Sequence, residues 1–434
     1  MTRSTREMSD IMERRTFLGA AAGAGLAAAL QAALPTSAHA AGRAPRILLR
    51  SSWQTVNIGD VAHTPGILAL LEKHLPQAEV QLWPSSVGNG VKEMLTARFP
   101  RLRVIDRSPA GVRAALEHND FLLHGSGPML LGIEEVDRWR RETGKPYGVY
   151  GITQGTPDRR TLPLLNGASF VYLRDSVSLA AVRAAGVSAP IVEFGPDAAF
   201  ATDLRDDAAA DAYLRDHGLA EGKFLCVLGR LRKTPYWEIY GREMTEQDKI
   251  DHAYNERMKE HDHAPLRKAI TEAVRKTDMK VLLCPEDESQ VEVNRENLYA
   301  PLPADVKERV VLRRTFWLPS EAVSTYARSA GLVSNEMHSP ILAVGHDVPA
   351  IVCRWKEQTS KGFMWADIGL GDWLFDMDDS DDLHRIAPAA LWIAKNPASA
   401  KARARRARKY AANLHRQSMV GLKQQLDRTR RSSS

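Results

Sequence analysis

The stretch GLVSNEMHSPILAVGHDVPAIVCRWKEQTSK, residues 331–361, decides the fold class. Gly331-Leu332-Val333 is a small apolar run of strand type, and it breaks into the polar residues Asn335 and Glu336. A compact helix follows over 340–345, opened by Pro340 and closed by Gly345, the usual helix punctuation. Val348-Pro349 then leads into a second apolar strand over 350–353. His338 therefore falls where a strand gives way to a helix N-terminus. Open α/β sheets bind ligands at the carboxyl ends of their strands, which makes His338 and Lys361 candidate ligand-facing groups. A satisfied loop histidine and a solvated lysine are the alternative.

The same alternation runs outward through the chain. Upstream, apolar strands are expected at 45–50, 78–84, 103–107, 120–127, 145–153, 169–175 and 189–200. Helical periodicity separates them near 63–75, 91–99, 110–117 and 176–185. A polar break spans 203–222. The pattern restarts with FLCVLGR at 224–230, then 279–285, 309–314, 331–335 and 350–354. This predicts an α/β protein of two Rossmann-like, doubly wound domains facing across a cleft, at 41–205 and 206–385, with a helical tail at 386–434. The charged segment 236–265 reads as an insertion over the cleft. Its His261 and His263 read as solvated loop residues, and no metal site is expected.

The first forty residues read as an export signal. Arg14 and Arg15 precede Phe17-Leu18, an Ala/Gly-rich run to about Leu34, and the small-x-small sequence Ala38-His39-Ala40. Paired arginines specify the twin-arginine exporter, so that machinery is an expected partner and the location periplasmic or extracellular. Met8 or Met12 could serve as the start. Cys226, Cys284 and Cys353 each sit in an apolar run and lack CxxC spacing, which argues for core thiols rather than disulfides or zinc. From Lys401 onward eleven Lys or Arg face a single acid, Asp427, although the whole chain carries only +6. No nucleic-acid reader motif accompanies that run. It reads as a solvated or membrane-surface helix with Tyr410, Leu414, Val420 and Leu422 as its apolar face.

Several short motifs follow one another in a fixed order. They are Asn57-Ile58-Gly59-Asp60, Gly125-Ser126-Gly127, Tyr150 to Gly155, Leu173-Arg174-Asp175-Ser176, Asp197 to Phe200, and Met337-His338 with Lys361. In this order and spacing the chain resembles the polysaccharide pyruvyl transferase family over roughly 46–376. The resemblance implies two Rossmann-like domains arranged as in GT-B glycosyltransferases. It also implies transfer of a pyruvyl group from phosphoenolpyruvate to the hydroxyls of a glycan acceptor, with no cofactor. A donor carrying carboxylate and phosphate calls for Arg and Lys, and protonating its methylene carbon calls for a general acid. By resemblance His338 is that acid, and Arg174 and Lys361 hold the anion. Arg230 is a further donor. Asn57, Gly59, Asp60 and the turn Gly125, Ser126, Gly127 line the ligand. An Arg174–Asp175 ion pair is the structural alternative for Arg174, and an N-cap role for Asp60. The chain departs from the family at Glu336, where an arginine is usual. An acid there needs a basic partner, for which Arg354 and Lys356 are the expected residues. A silent glycan-binding relative and a nucleotide-sugar glycosyltransferase are the competing functional classes.

Overall fold

The computed structural model describes residues 43–432. The proposed export signal, with Arg14 and Arg15, lies outside the described residues. Seven strands form the first sheet: β1 (Arg46–Ser51), β2 (Glu79–Pro84), β3 (Arg103–Val104), β4 (Phe121–His124), β5 (Tyr147–Ile152), β6 (Val171–Leu173) and β7 (Val192–Phe194). Their order is β3-β2-β1-β4-β5-β6-β7, every pair parallel. The second sheet holds β8 (Phe224–Leu228), β9 (Lys280–Leu283), β10 (Val310–Leu312), β11 (Gly331–Ser334), β12 (Ala350–Arg354) and β13 (Leu374–Asp376). It is again parallel, in the order β10-β9-β8-β11-β12-β13. Both sheets thus reverse direction of winding beside their first strand, between β1 and β4 and between β8 and β11. Those switch points are where doubly wound sheets open a ligand crevice. The fold is the expected pair of Rossmann-like α/β domains.

Five of the six strands of the second sheet are legible as apolar runs; β13 is three residues long and carries no such run. Among the helices that frame the crevice, α1 (Ile58–His74) is buried on nearly every side from Ile58 to Leu71. It begins at Asn57 and not near His63, because the Asn57 carboxamide accepts from Gly59 N (2.7 Å) and Asp60 N (3.3 Å). Asn57 is therefore the N-cap, and Asp60 lies inside the first turn. Next come α2 (Ser176–Ala184) and α3 (Asp207–Asp216), the latter a helix within the expected polar break. Leu214 of α3 belongs to the second sheet's core.

The charged segment read as a loop is helical. α4 (Glu246–Lys276) runs for 31 residues behind a capping box at Thr245, with Pro265 inside it. Arg232, from the loop after β8, anchors it. Its guanidinium donates to both carboxylate oxygens of Asp262 (2.9 and 3.0 Å) and to Asp378 (2.7 Å). His263 is buried on α4, its ring bonded to Lys259 O rather than solvated.

α5 (His338–Gly345) follows β11, and α6 (Pro397–Ser432) ends the described chain. The face assigned to α6 from sequence is wrong in two places: Tyr410 and Val420 are exposed. The buried stripe is Ala404, Ala407, Ala411, His415, Ser418, Met419, Leu422 and Leu426, in helical spacing. Small residues at 404, 407 and 411 let the helix lie close. Met419, Leu422 and Leu426 then join the core of the first sheet. Tyr150 Oη on β5 meets Ser418 Oγ at 3.0 Å. The last helix of the chain thus closes the first domain, and Lys and Arg occupy its outer face. Leu422→Ala should cost about 2–5 kcal/mol, as for a buried leucine with no solvent path. Val420→Ala should cost under about 0.5 kcal/mol. Thermal denaturation of both variants checks the assignment: equal effects would remove it.

The three cysteines are buried and unpaired. Among the described residues no helix is long and apolar enough to cross a membrane.

Candidate active site between the two sheets

The loop after β1 and the loop after β9 are joined by backbone bonds. Ile58 N donates to Glu286 O (2.9 Å), and Asn57 pairs with Asp287 as an antiparallel bridge. This contact brings the N-terminus of α1 against the N-terminus of α5. Gly59 makes the approach possible: a Cβ there would stand 2.1 Å from His338 Nδ1 and 2.4 Å from His338 Cβ. Deeper along α1, Gly66 does the same against the backbone carbonyl of Ala198, 2.1 Å from its would-be Cβ.

His338 is buried at the start of α5. Its Nδ1 lies 3.3 Å from Glu286 Oε1, and Glu286 Oε2 accepts from Ser339 N (2.6 Å). Glu286, wholly buried, therefore sits on the positive end of α5 and fixes the imidazole at the same time. With Nδ1–H given to Glu286, Nε2 carries the lone pair, and Nε2 is buried without a partner. Burial, with Lys361 and His63 nearby, holds the imidazolium pKa well below its usual range, so the ring is neutral at pH 7.

A second histidine, absent from the sequence reading, stands beside it. His63 on α1 is fully buried and meets His338 edge to face, ring centroids 4.8 Å apart. Its Nδ1 is 2.9 Å from Asp197 Oδ1, and its Nε2 is buried and makes no hydrogen bond, with Asp60 Oδ1 3.8 Å away. The signal was present in spacing: His63 is four residues beyond Gly59 and three beyond Asp60, on one face of the helix. Asp197, on the turn after β7, also accepts from Ala199 N (2.9 Å) and from Arg174 Nη1. Burial works against this carboxylate, but His63 and Arg174 hold its pKa well below the usual carboxylate range. Arg174, fully buried, donates Nε to Thr153 Oγ1 (2.7 Å) and leaves Nη2 without a partner. Its ion pair is thus with Asp197 rather than with its neighbour Asp175. Asp175 instead caps α2 through Ser178 N (2.7 Å).

Lys361 lies on a 3-10 turn, Ser360–Phe363, and makes no hydrogen bond or ion pair among the described residues. Ser360 Oγ reaches Ser178 Oγ of α2 (3.1 Å), which holds the turn over Arg174. Burial lowers the lysine's pKa, while Glu336 and Glu286 pull it back up.

Glu336 is buried, and its partner differs from the expected ones. Arg230 Nη1 donates to Oε2 (3.0 Å), and Gln290 Nε2 donates to Oε1 (2.8 Å). Arg354 instead lies over the Phe363 ring and near Asp376, beneath the Lys361 turn. Lys356 has its backbone bonded to Asp378. Burial, with Glu286 nearby, pushes the Glu336 carboxyl up to about 7 even though Arg230 pulls it down. Arg230 is correspondingly occupied: Nε donates to Leu231 O and Nη2 to Thr234 Oγ1. Its charge is set against Glu336, while three of its five N–H groups are engaged.

The turn Gly125-Ser126-Gly127 precedes no helix N-terminus, since the next helix begins only at Ile133. It is internal scaffolding. Ser126 Oγ accepts from Ala198 N (3.0 Å), and Trp53 Nε1 donates to Ser126 O (2.7 Å). The turn thereby steadies the backbone next to Asp197. Asp60 accepts from Gln54 and lies 3.8 Å from His63 Nε2.

His63, Asp197 and His338 are one group whose possible ligand atoms lie within 4.8 Å of one another. The Asp197 carboxylate is already filled by Arg174, His63 and a backbone amide, and a guanidinium beside it disfavours a cation. These residues suit proton transfer better than metal binding. What remains buried and unsatisfied here is one arginine nitrogen and two imidazole nitrogens, from three separate elements, with the half-buried Lys361 ammonium nearby. Buried polar atoms are ordinarily bonded, so such a concentration marks where a polar ligand belongs. An apolar cavity of about 410 Å³ beside Leu68, Leu71, Phe99 and Leu102 holds none of these groups.

Residues 57–357 match the polysaccharide pyruvyl transferase family. The chain belongs to that family. Membership places it among the polysaccharide-modifying transferases. Its fold is also that of GT-B glycosyltransferases and sugar-nucleotide epimerases. HepE of Anabaena, solved with UDP and glucose, is 13% identical, with a TM-score of 0.51 over 89% of this chain and 100% of that one. UGT71G1 of Medicago truncatula, solved with UDP-glucose, is 12% identical, with a TM-score of 0.51 over 89% and 98%. The UDP-GlcNAc 2-epimerase of Methanocaldococcus jannaschii is 12% identical, with a TM-score of 0.52 over 80% and 92%. None of the curated proteins matches this sequence.

Proposed function

We propose that the protein transfers the pyruvyl group of phosphoenolpyruvate to sugar hydroxyls of an envelope or extracellular glycan, forming a ketal and releasing phosphate. The observation that supports this most is the group of unsatisfied polar atoms around His338. Arg174 Nη2 and the Lys361 ammonium offer fixed donors to an anion, and both act beside an imidazole with a free Nε2. A neutral His338 is the resting form. An incoming trianion raises its pKa by adding negative charge beside the imidazole, so the histidine arrives at the methylene carbon protonated.

The balance of the reaction is simple. One proton is added to the methylene carbon, two sugar oxygens bond to C2, and the bond from C2 to the phosphate oxygen breaks. The two hydroxyl protons account for the new methyl hydrogen and for the proton on phosphate. The twin-arginine reading of residues 1–40 supports an extracytoplasmic acceptor.

The test is direct. Purified protein, phosphoenolpyruvate and an oligosaccharide acceptor are incubated, and free phosphate and acceptor mass are followed together. Equal amounts of phosphate and pyruvylated sugar are expected. Phosphate without sugar product, or neither with a panel of acceptors, overturns the reading.

A further inference from the structure

We propose that His63, held by Asp197, is a second proton carrier of the site, and that its Nε2 takes the proton of the acceptor hydroxyl. The inference rests on the pyruvyl-transfer reading for its donor, but its geometry stands by itself. Each of the two histidines has Nδ1 against a buried carboxylate, Asp197 at 2.9 Å and Glu286 at 3.3 Å. Each therefore presents an Nε2 lone pair, and neither Nε2 makes a hydrogen bond; the Asp60 carboxylate, 3.8 Å from His63 Nε2, has no proton to give it. An unbonded buried acceptor is costly, so the missing partner is an O–H or N–H group of a ligand. The acceptor's hydroxyl is the group in the proposed reaction that carries such a proton. The carboxylate–imidazole–hydroxyl order is the arrangement that makes a histidine a general base and stabilises the imidazolium once formed.

Two carriers also fit the balance better than one. His338 gives its proton to the methylene carbon while the first sugar oxygen bonds to C2, and His63 takes that hydroxyl's proton. When the second oxygen attacks, its proton returns to His338, the bond from C2 to the phosphate oxygen breaks, and His63 passes its proton to the leaving phosphate. Both histidines end as they began, and no further reactant is needed. Arg174 bridges the two tasks, with Nη1 on Asp197 and Nη2 free for the anion.

The experiment uses the full chain and His63→Gln, which keeps volume and polarity. Transfer should fall about 10²- to 10⁴-fold, as for loss of an acid–base group. The calorimetric affinity for phosphoenolpyruvate should change less than threefold. The loss should fall on kcat rather than on the KM for phosphoenolpyruvate. Retained transfer, or phosphoenolpyruvate binding lost in proportion to transfer, would overturn the proposal. A second readout does not depend on the donor. In ¹⁵N-histidine spectra, the Nε2 signal absent from His63→Gln should move when methyl hexopyranosides are added to wild type. A static signal with bound sugar sinks the inference alone. A wild type that transfers nothing, yet shows the shift, sinks the donor reading and leaves His63 as the hydroxyl acceptor.

Discussion

Gly59→Ala is expected to lower pyruvyl transfer about 10²- to 10⁴-fold, as severely as His338→Gln, without unfolding the protein. The added methyl would stand 2.1 Å from Nδ1, 2.3 Å from Cγ and 2.4 Å from Cβ of His338. These are atoms at the root of the imidazole, not the far end of a flexible chain, so the ring must leave its place. The helix cannot give way instead. α1 is capped by Asn57, bonded through Ile58 to Glu286 O, and set against Ala198 O at Gly66, where no Cβ fits either. Displacing the imidazole removes its contact with Glu286, and an error of about 1 Å in a catalytic group can cost on the order of 10²-fold. Forcing a methyl into a filled core costs about 1–3 kcal/mol, and alanine's preference over glycine in a helix offsets up to about 1 kcal/mol of that. The melting temperature should therefore fall by only a few degrees, with the protein still folded. Steady-state kinetics beside a thermal melt decides the point. Unchanged kcat would mean that His338 is not the group whose position matters.

How much of this was legible without coordinates differs between fold and site. The alternation of apolar strands and helices gave two doubly wound sheets because a parallel strand is buried on both faces and so reads as a continuous apolar run. β13, three residues long, shows no such run. The segment 236–265 misled because its charges conceal a helix buried along one stripe, Asn255, Asp262, His263 and Leu266, and two of those four are themselves ionisable. The face of α6 misled for the opposite reason. Alanines at 404, 407 and 411 define it, and they weigh less in an apolar count than the exposed Tyr410 and Val420. In the site, Arg174, His338 and Lys361 were named from motif order, and the structure brings them together. Their partners were not found, because Asp197, Glu286 and His63 come from three elements whose meeting depends on how the two sheets face each other. No local pattern pairs Glu336 with Arg230, 106 residues away.

That last pair carries the sharpest expectation. Glu336→Gln should tighten phosphoenolpyruvate binding at pH 8 roughly ten- to a hundredfold. Arg230 is now neutralised by the Glu336 carboxylate, and the uncharged amide keeps the Gln290 contact while releasing the guanidinium's charge to an anion. A charge-assisted hydrogen bond is worth about 1.5–3 kcal/mol, and about 1.4 kcal/mol is one decade of affinity. The pH dependence separates this from a general loosening. The Glu336 carboxyl titrates near about 7, so wild type loses its negative charge there as the pH falls and comes to resemble the variant. The affinity gap should be wide at pH 8 and nearly closed at pH 5.5, with the ligand's own titration common to both proteins. Stability follows the same sign. A carboxyl whose pKa is raised by folding favours the folded state fully below its ordinary value near 4.5, and that contribution is lost as the pH climbs through about 7. The full swing is about 3 kcal/mol. The variant lacks the group, so its stability relative to wild type should improve from pH 5 to pH 8. Calorimetric titration with phosphoenolpyruvate and thermal melts across that range measure both. Parallel curves for the two proteins at every pH would mean that Glu336 is not the group titrating, and that Arg230 has no part in holding the anion.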